Sequence, residues 1–394
     1  MNVTQISLGR YHHFHLARQL QRNGVLEALY TGYPHFKLKD EQGIPPGKIK
    51  SFPWVRTPYM MRGRLGLDKW EWLNKEWEWL DQQTIDHYTA SKIIHPTILV
   101  ALSASGLNAG IKAKSLGGYY ICDRGSSHIS FQNEILKEEY RKWGFKFCGV
   151  DPRIIQKEEL EYETCDTITI PSEFVKRSFL EKGIPESKLT KVVYGARLER
   201  FKKVAEPEAS KFTILWVGAV NIRKGFMYLL KAFQSLKHPH KELIVIGNVE
   251  PEIKQLLNNE DISGIQFLGT VDNGQLPKYY STAHVFVLPS IEDGFGMVMG
   301  EALGCGCPVI ATNHTGAEDL FEDGKEGFIV PVRSVELLKN RLQLLMDDTG
   351  KQKQMADAGI EKVKSIGGWN SYGDEFTSLI ERLQSPVTNS AIIK

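Results

Sequence analysis

Two short stretches concentrate residues able to hold a phosphorylated, hydroxyl-rich ligand. The first, Pro289-Ser-Ile-Glu-Asp-Gly-Phe-Gly-Met-Val-Met-Gly-Glu301, lies between two apolar runs. Asp293 and Glu301 are eight positions apart, so one falls in a loop and the other about two turns along the following helix. Gly294, Phe295 and Gly296 stand where that helix should begin. The two glycines leave backbone N–H groups unshielded there, and free amides at a helix N-terminus favour a phosphate. Glu301 suits a two-pronged grip on ribose hydroxyls, or else is a buried helix acid paired with a lysine. The second stretch, Trp216-Val-Gly-Ala-Val-Asn-Ile-Arg-Lys-Gly-Phe-Met227, places Gly218, Arg223 and Lys224 beyond the carboxyl end of a strand, where open parallel sheets bind ligands. Arg223 would meet a diphosphate as a fork and Lys224 as a point charge.

Elements that could position these groups alternate along the whole chain. Residues 2–8 read as a buried strand; after Gly9 the apolar spacing of Phe14, Leu16, Ala17 and Leu20 turns helical. Further strands are expected over 97–102, 118–123 and 167–171, with helices over 131–143 and 172–182. A second cycle starts at Lys211, with strands over 212–217, 243–247, 265–269, 284–289 and 308–312 and helices between them. Such a rhythm predicts parallel sheets covered by helices on both faces. The charged, aperiodic residues 197–210 mark a linker. The expected division is residues 1–208, residues 209–365, and a final helix with a loose tail over 366–394. At 394 residues two cores are expected rather than one.

The whole chain resembles the retaining family 4 glycosyltransferases of the GT-B fold, two Rossmann-like domains facing each other across a cleft. The resemblance rests on Val217-Gly218…Lys224-Gly225, on Asp293-Gly-Phe-Gly…Glu301-Ala302 and on Gly306-Cys-Pro-Val-Ile-Ala311, in order and sensibly spaced. It implies a metal-independent transfer of sugar from a nucleoside-diphosphate sugar (UDP, GDP or ADP type), with retention at the anomeric carbon and no resident cofactor. The acceptor would be a saccharide, a lipid-linked sugar or a small molecule. The family's E-x7-E pair would give Asp293 the donor sugar and Glu301 the ribose; Asp stands where the family has Glu, so either Asp293 substitutes or neighbouring Glu292 reaches in. Ala219 stands where an arginine is frequent, which leaves Arg223 to supply that charge. Val271, ending Phe267-Leu-Gly-Thr-Val271, matches the strand whose backbone touches the base. Gly9 occupies the place of a glycine-rich loop over the diphosphate, with Arg10 a candidate for the leaving phosphate. His128, beyond the strand Tyr119-Tyr-Ile-Cys-Asp123, matches a histidine near the transferred sugar; Asp123 and Arg124 are its rivals, and a helix cap or core partner is its plain alternative. C-terminal helices would pack back on the first domain.

His12 and His13 are expected to point apart on a helix with no acid partner, which argues against a metal and makes them surface or acceptor contacts. Five of the eight tryptophans fall between Trp54 and Trp79, close to Arg56, Arg62 and Arg64. They are read as lining the core or an acceptor groove in preference to a membrane surface. Residues 1–205 carry 31 Lys and Arg against 23 Asp and Glu, a net +8, whereas the rest is net −6. A basic half can attract an anionic leaflet, and peripheral membrane contact is kept as an option; nucleic acid is not expected as a partner. Five cysteines without CxxC spacing suggest reduced thiols, mostly in the core. The N-terminus has no basic leader before an apolar core, so a cytoplasmic chain is expected. The rival functions are a GT-B sugar-nucleotide epimerase and a catalytically silent sugar-binding or scaffold protein.

Overall fold

The chain was analysed as a computed structural model that describes residues 1–10, 12–64, 66–147, 149–195 and 199–385. Its first half runs β1 (Val3–Ser7), α1 (His12–Arg22), β2 (Leu26–Thr31), β3 (Ile49–Ser51), α2 (Pro53–Met61), α3 (Glu71–Lys92), β4 (Ile98–Leu102), α4 (Leu107–Ser115), β5 (Tyr119–Asp123), α5 (Ile129–Lys142), α6 (Pro152–Thr164), β6 (Thr167–Ile170), α7 (Glu173–Glu181) and β7 (Leu189–Lys191). The second runs β8 (Phe212–Val217), α8 (Phe226–Gln234), β9 (Lys241–Ile246), α9 (Pro251–Leu257), β10 (Ile265–Gly269), α10 (Leu276–Thr282), β11 (Val285–Leu288), α11 (Val298–Gly304), β12 (Val309–Thr312), α12 (Ala317–Leu320) and β13 (Gly327–Val330). Three helices close the chain: α13 (Val335–Asp347), α14 (Thr349–Ile366) and α15 (Trp369–Gln384).

The strands form two sheets, ordered β3-β2-β1-β4-β5-β6-β7 and β10-β9-β8-β11-β12-β13, with every pairing parallel. Central strands such as Ile-Leu-Val-Ala-Leu of β4 and Val-Phe-Val-Leu of β11 are apolar throughout because helices cover both faces. α8 shows the matching stripe, burying Phe226, Leu229, Leu230 and Phe233 at helical spacing. In each sheet the strand order reverses beside the first strand, between β1 and β4 and between β8 and β11. That reversal opens a crevice at the carboxyl ends of the strands, and both crevices face the space between the domains.

α15 returns to the first domain. It buries Tyr372, Phe376, Leu379 and Ile380, each apolar side chain worth roughly 1.5–3 kcal/mol when fully buried. Trp369 stacks on His15 with ring centroids 3.9 Å apart, and Asn23 donates to Thr377 at 2.9 Å. Gly373 permits the approach, since a Cβ there would lie 2.3 Å from the Cβ of Gln19.

The tryptophan-rich segment does not line the core. Trp54, Trp70 and Trp72 are 77%, 54% and 67% exposed, and Trp77 and Trp79 are half-buried. α3 buries Asp81, Gln82, Ile85, Asp86 and Thr89, all from its midpoint onward. Its first ten residues, which carry Trp72, Trp77 and Trp79, bury no side chain, while Trp54 lies on α2 and Trp70 just precedes α3. Cys122, Cys165, Cys305 and Cys307 are free and buried. Cys148, Tyr11, residues 196–198 of the expected linker and the expected tail from 386 lie outside the described residues. Among the described residues no helix is long and apolar enough to cross a membrane.

Candidate functional site

The loop after β8 carries Lys224, and the loop after β11 carries Asp293. A glycine brings them together. Gly225 has φ +74°, and a Cβ on it would sit 2.0 Å from the carbonyl oxygen of Pro289; only a residue without a side chain lets the two loops meet. The Ile291 amide donates to the Arg223 carbonyl at 2.8 Å, and Asn221 Oδ1 accepts from the Lys224 amide at 2.9 Å. The ammonium of Lys224 then bonds Asp293 Oδ2. Above this pair lies a cavity of about 300 Å³, lined by Gly218, Lys224, Asp293, Phe295 and Gly296 of the second domain and closed by Gly125 and Tyr194 of the first.

Glu292 and Asp293, adjacent in sequence, face opposite ways. Glu292 is wholly buried between the domains. One of its oxygens accepts from the amide and hydroxyl of Ser127, and the other from Gln132 Nε2 at 2.9 Å and from Arg223 at 2.7 Å. Burial alone would raise its carboxyl; Arg223, Gln132 and Ser127 reverse that and bring it down to about 2. Its bonding capacity is filled, and of the two acids Asp293 is the one that lines the cavity. Arg223 is drawn to the same carboxylate. Its guanidinium pairs with the Glu292 carboxylate and donates from Nε to the Glu292 carbonyl at 3.1 Å, which leaves Lys224 as the cation of the cavity wall.

Other expected contacts also move. α11 begins at Val298, so Glu301 lies in its first turn rather than two turns in, and Glu301 Oε2 is 3.2 Å from the Tyr280 hydroxyl. Val271 packs against the core and lines neither this cavity nor its neighbour. Gly9 is buried, its carbonyl accepting from Ser7 Oγ at 2.7 Å. Arg10 is turned to Glu41 at 2.7 Å, a carboxylate it shares with Arg18. Gly294 is less an open amide than a point of contact between the domains: a Cβ there would lie 1.9 Å from the Gly125 carbonyl oxygen. Its own carbonyl accepts from Ser172 Oγ at 2.6 Å, and Ser172 also caps α7.

Gly125 and Tyr194 also line a second cavity, of about 450 Å³, in the first domain. Its walls include His12, Arg56, Tyr59, Glu78, Asp81 and Arg124. Arg56 pairs with Asp81 at 2.8 Å and Arg124 with Glu158 at 2.7 Å; Glu78 makes no ion pair among the described residues, and burial raises its carboxyl. The histidines do have an acid partner. Asp123, at the end of β5, lies 2.5 Å from His12 Nε2 and 2.7 Å from His13 Nε2, and its other oxygen accepts from Thr169 at 2.7 Å. Burial would raise the Asp123 carboxyl, but His12 and His13 hold it far below the ordinary range. These three residues are the set of donor atoms, all within 4.8 Å of one another, that could hold a metal among the described residues.

His128 is corrected as well. It lines neither cavity. Its Nδ1 accepts from the Ser130 amide at 3.2 Å as the cap of α5, and its ring packs 5.0 Å from Tyr162 and from Phe179. Burial, then Arg124 and Lys182, lower it to about 4, so it stands neutral. Among its rivals Arg124 reaches the cavity, and Asp123 stands behind His12. His12, expected as a surface or acceptor contact, lines the wall, whereas Gly125 and Tyr194 were not singled out from the sequence. The polar run after β5 was the available signal for Gly125, and nothing local marks Tyr194.

Two doubly wound parallel sheets whose strand-end crevices face each other define a two-domain α/β architecture with a cleft between the domains. The same arrangement occurs in HepE from Anabaena, solved in complex with UDP and glucose; the two superpose with a TM-score of 0.69 at 15% identity, over 97% of this chain and 100% of that one. The chain belongs to the glycosyl transferases group 1, whose signature matches residues 198–362. It is 31% identical over 245 residues to an uncharacterized glycosyltransferase of Haemophilus influenzae, covering 58% of this chain and 67% of that protein. It is 29% identical over 222 residues to CapM, a capsular polysaccharide biosynthesis glycosyltransferase of Staphylococcus aureus, covering 51% and 57%. The matched segments thus span between about half and two thirds of these curated relatives, 53% in a Klebsiella pneumoniae protein of a cps region.

Proposed function

We propose that this chain transfers a sugar from a nucleoside-diphosphate sugar to a hydroxylated acceptor, without a metal and with retention of anomeric configuration. The observation that carries the reading is the junction of the two cavities at Gly125 and Tyr194: one ends on Lys224 and Asp293, the other is walled by carboxylates, arginines and tyrosines suited to sugar hydroxyls. On this reading the donor lies in the second domain. Lys224 neutralises the leaving diphosphate, Asp293 orients the donor sugar and Glu301 binds the ribose. The chemistry depends chiefly on stabilising negative charge on the departing phosphate, which a fixed ammonium does at little reorganisation cost. The acceptor hydroxyl approaches from the first domain past Gly125. HepE, named with UDP, supports a nucleoside diphosphate as donor group, and CapM supports a polysaccharide or glycoconjugate product. The same proposal places the reaction in the cytoplasm, at or near the inner face of a membrane.

The test is a thermal-shift screen against UDP, GDP and ADP followed by assay of the matching nucleotide sugars. One nucleotide should raise the melting temperature, and its sugar conjugate should be turned over in EDTA to a product of unchanged anomeric configuration by NMR. Turnover that survives both Lys224→Ala and Glu301→Ala unchanged rules out this site.

A further inference from the structure

The polar cavity of the first domain has an apolar neighbour. Between α2 and residues 32–37 runs a groove of about 410 Å³, walled by Phe36, Met60 and Met61 with Lys37, Arg56 and Arg64 beside them. The size suits a small-molecule chain rather than a protein segment. Arg56 lines both spaces. Along α2, Tyr59 faces the polar cavity while Met60 and Met61 face the groove, so a single helix divides a hydroxyl-binding space from an apolar one. Phe36, Met60 and Met61 are 61%, 49% and 44% exposed. Large apolar side chains gathered around a concavity mark a binding surface. Arg56 is paired with Asp81, but the groove wall also holds Lys37 and Arg64 and, among the described residues, no acid, which complements an anionic group.

We propose that this groove holds the apolar chain of an amphiphilic acceptor whose hydroxylated head occupies the polar cavity, with Lys37 and Arg64 meeting an anionic linkage between them. The proposal rests on the transferase reading for the word acceptor. Arg56 as a common wall sets the two spaces side by side, which favours one molecule reaching both over a bilayer surface or a second copy of the chain, neither of which would reach the polar cavity.

Titration calorimetry of the full chain with decyl phosphate, below its micelle concentration, tests it. Decyl phosphate should saturate one site, and inorganic phosphate should not. Met61→Asp and Phe36→Asp, both at exposed positions, should weaken binding tenfold or more while melting within a few degrees of the wild type. Arg64→Ala should weaken decyl phosphate but not decyl maltoside. Once the thermal-shift screen has fixed the donor, octyl glycosides should show a KM at least tenfold below the matched methyl glycosides, because each methylene removed from water is worth roughly fourfold; Met61→Asp should close that gap. Equal KM values, or decyl phosphate binding untouched by Met61→Asp, overturn the proposal. So does groove-dependent binding to anionic phosphatidylglycerol vesicles without binding of the monomeric amphiphile, or a dimer in sedimentation that Met61→Asp dissolves. If no nucleoside diphosphate shifts the melting temperature, the transferase reading fails by itself, and the decyl phosphate titration still decides whether the groove binds a chain.

Discussion

Glu292 of the second domain and Ser127 of the first are joined through one carboxylate oxygen, which accepts from the Ser127 amide at 3.0 Å and from its hydroxyl at 2.8 Å. With Arg223 on the other oxygen, a fully buried charge holds the cleft closed. Ser127→Ala removes one charge-assisted bond and should lower stability by about 1.5–3 kcal/mol. Glu292→Ala leaves Arg223 and Gln132 without their acceptor and should cost about 3–5 kcal/mol. Urea unfolding followed by tryptophan fluorescence measures both, and a loss under 1 kcal/mol for Glu292→Ala would show that the domains do not depend on this contact.

Acid should act in two stages. His128 falls from 6.5 to about 4 in the folded chain and Glu292 from 4.5 to about 2. Both folded values are depressed, so each group contributes stability that is present above its unfolded pKa and lost as pH falls through the folded one. His128, together with His284, which is also lowered to about 4, should erode stability between pH 6.5 and 4. Glu292 should do so between 4.5 and 2, by a few kcal/mol at most. His128→Asn, which keeps a capping side chain, should flatten the first stage and leave turnover within about twofold; a large loss of turnover in a fully folded His128→Asn would return this residue to the chemistry.

Arg223 and Lys224 should separate cleanly although they are neighbours. Lys224→Ala should weaken nucleoside diphosphate binding about 10- to 100-fold, the value of one charge-assisted contact of roughly 1.5–3 kcal/mol. Its melting temperature should barely move. Arg223→Ala should do the reverse, because its guanidinium is committed to the buried Glu292. Calorimetric binding and thermal unfolding of the two variants side by side decide the assignment.

Gly294→Ala should hold the domains apart. The added Cβ would meet the Gly125 carbonyl oxygen at 1.9 Å, a backbone atom that cannot rotate away. Small-angle X-ray scattering should show a larger radius of gyration, with activity lost and each domain still folded. Gly125→Ala faces the Tyr194 hydroxyl at 2.8 Å, the end of a side chain that can shift, and should be milder.

Much of the second domain was readable in the sequence because its signals are local. An apolar strand, a glycine-bearing loop and a periodic helix follow one another within twenty residues, which fixes where the strand ends and which loop lies at the carboxyl edge. Lys224, Gly218 and Asp293 were found that way, and all three line the same cavity. The first domain was harder. Its cavity wall joins His12 after β1 to Arg56 on α2, Arg124 after β5 and Tyr194 after β7, residues that no spacing connects. Trp72, Trp77 and Trp79 misled because a 22-residue helix can bury only the later part of its length, and helical periodicity does not reveal which part.

By itself the sequence determined the class of architecture and the stretch of chain on which an anionic ligand would sit, since strand and helix periods and glycine positions are properties of the local backbone. Only the tertiary structure decided which of two neighbouring acids faces the cavity. In a loop the direction of a side chain is set by what packs across it. Here Ser127 and Gln132, more than 150 positions away, draw Glu292 into the domain interface and leave Asp293 to Lys224. The same holds for His12 and Asp123, separated by 111 positions and joined at 2.5 Å, a pairing that β5 creates by lying two strands from β1 in the sheet.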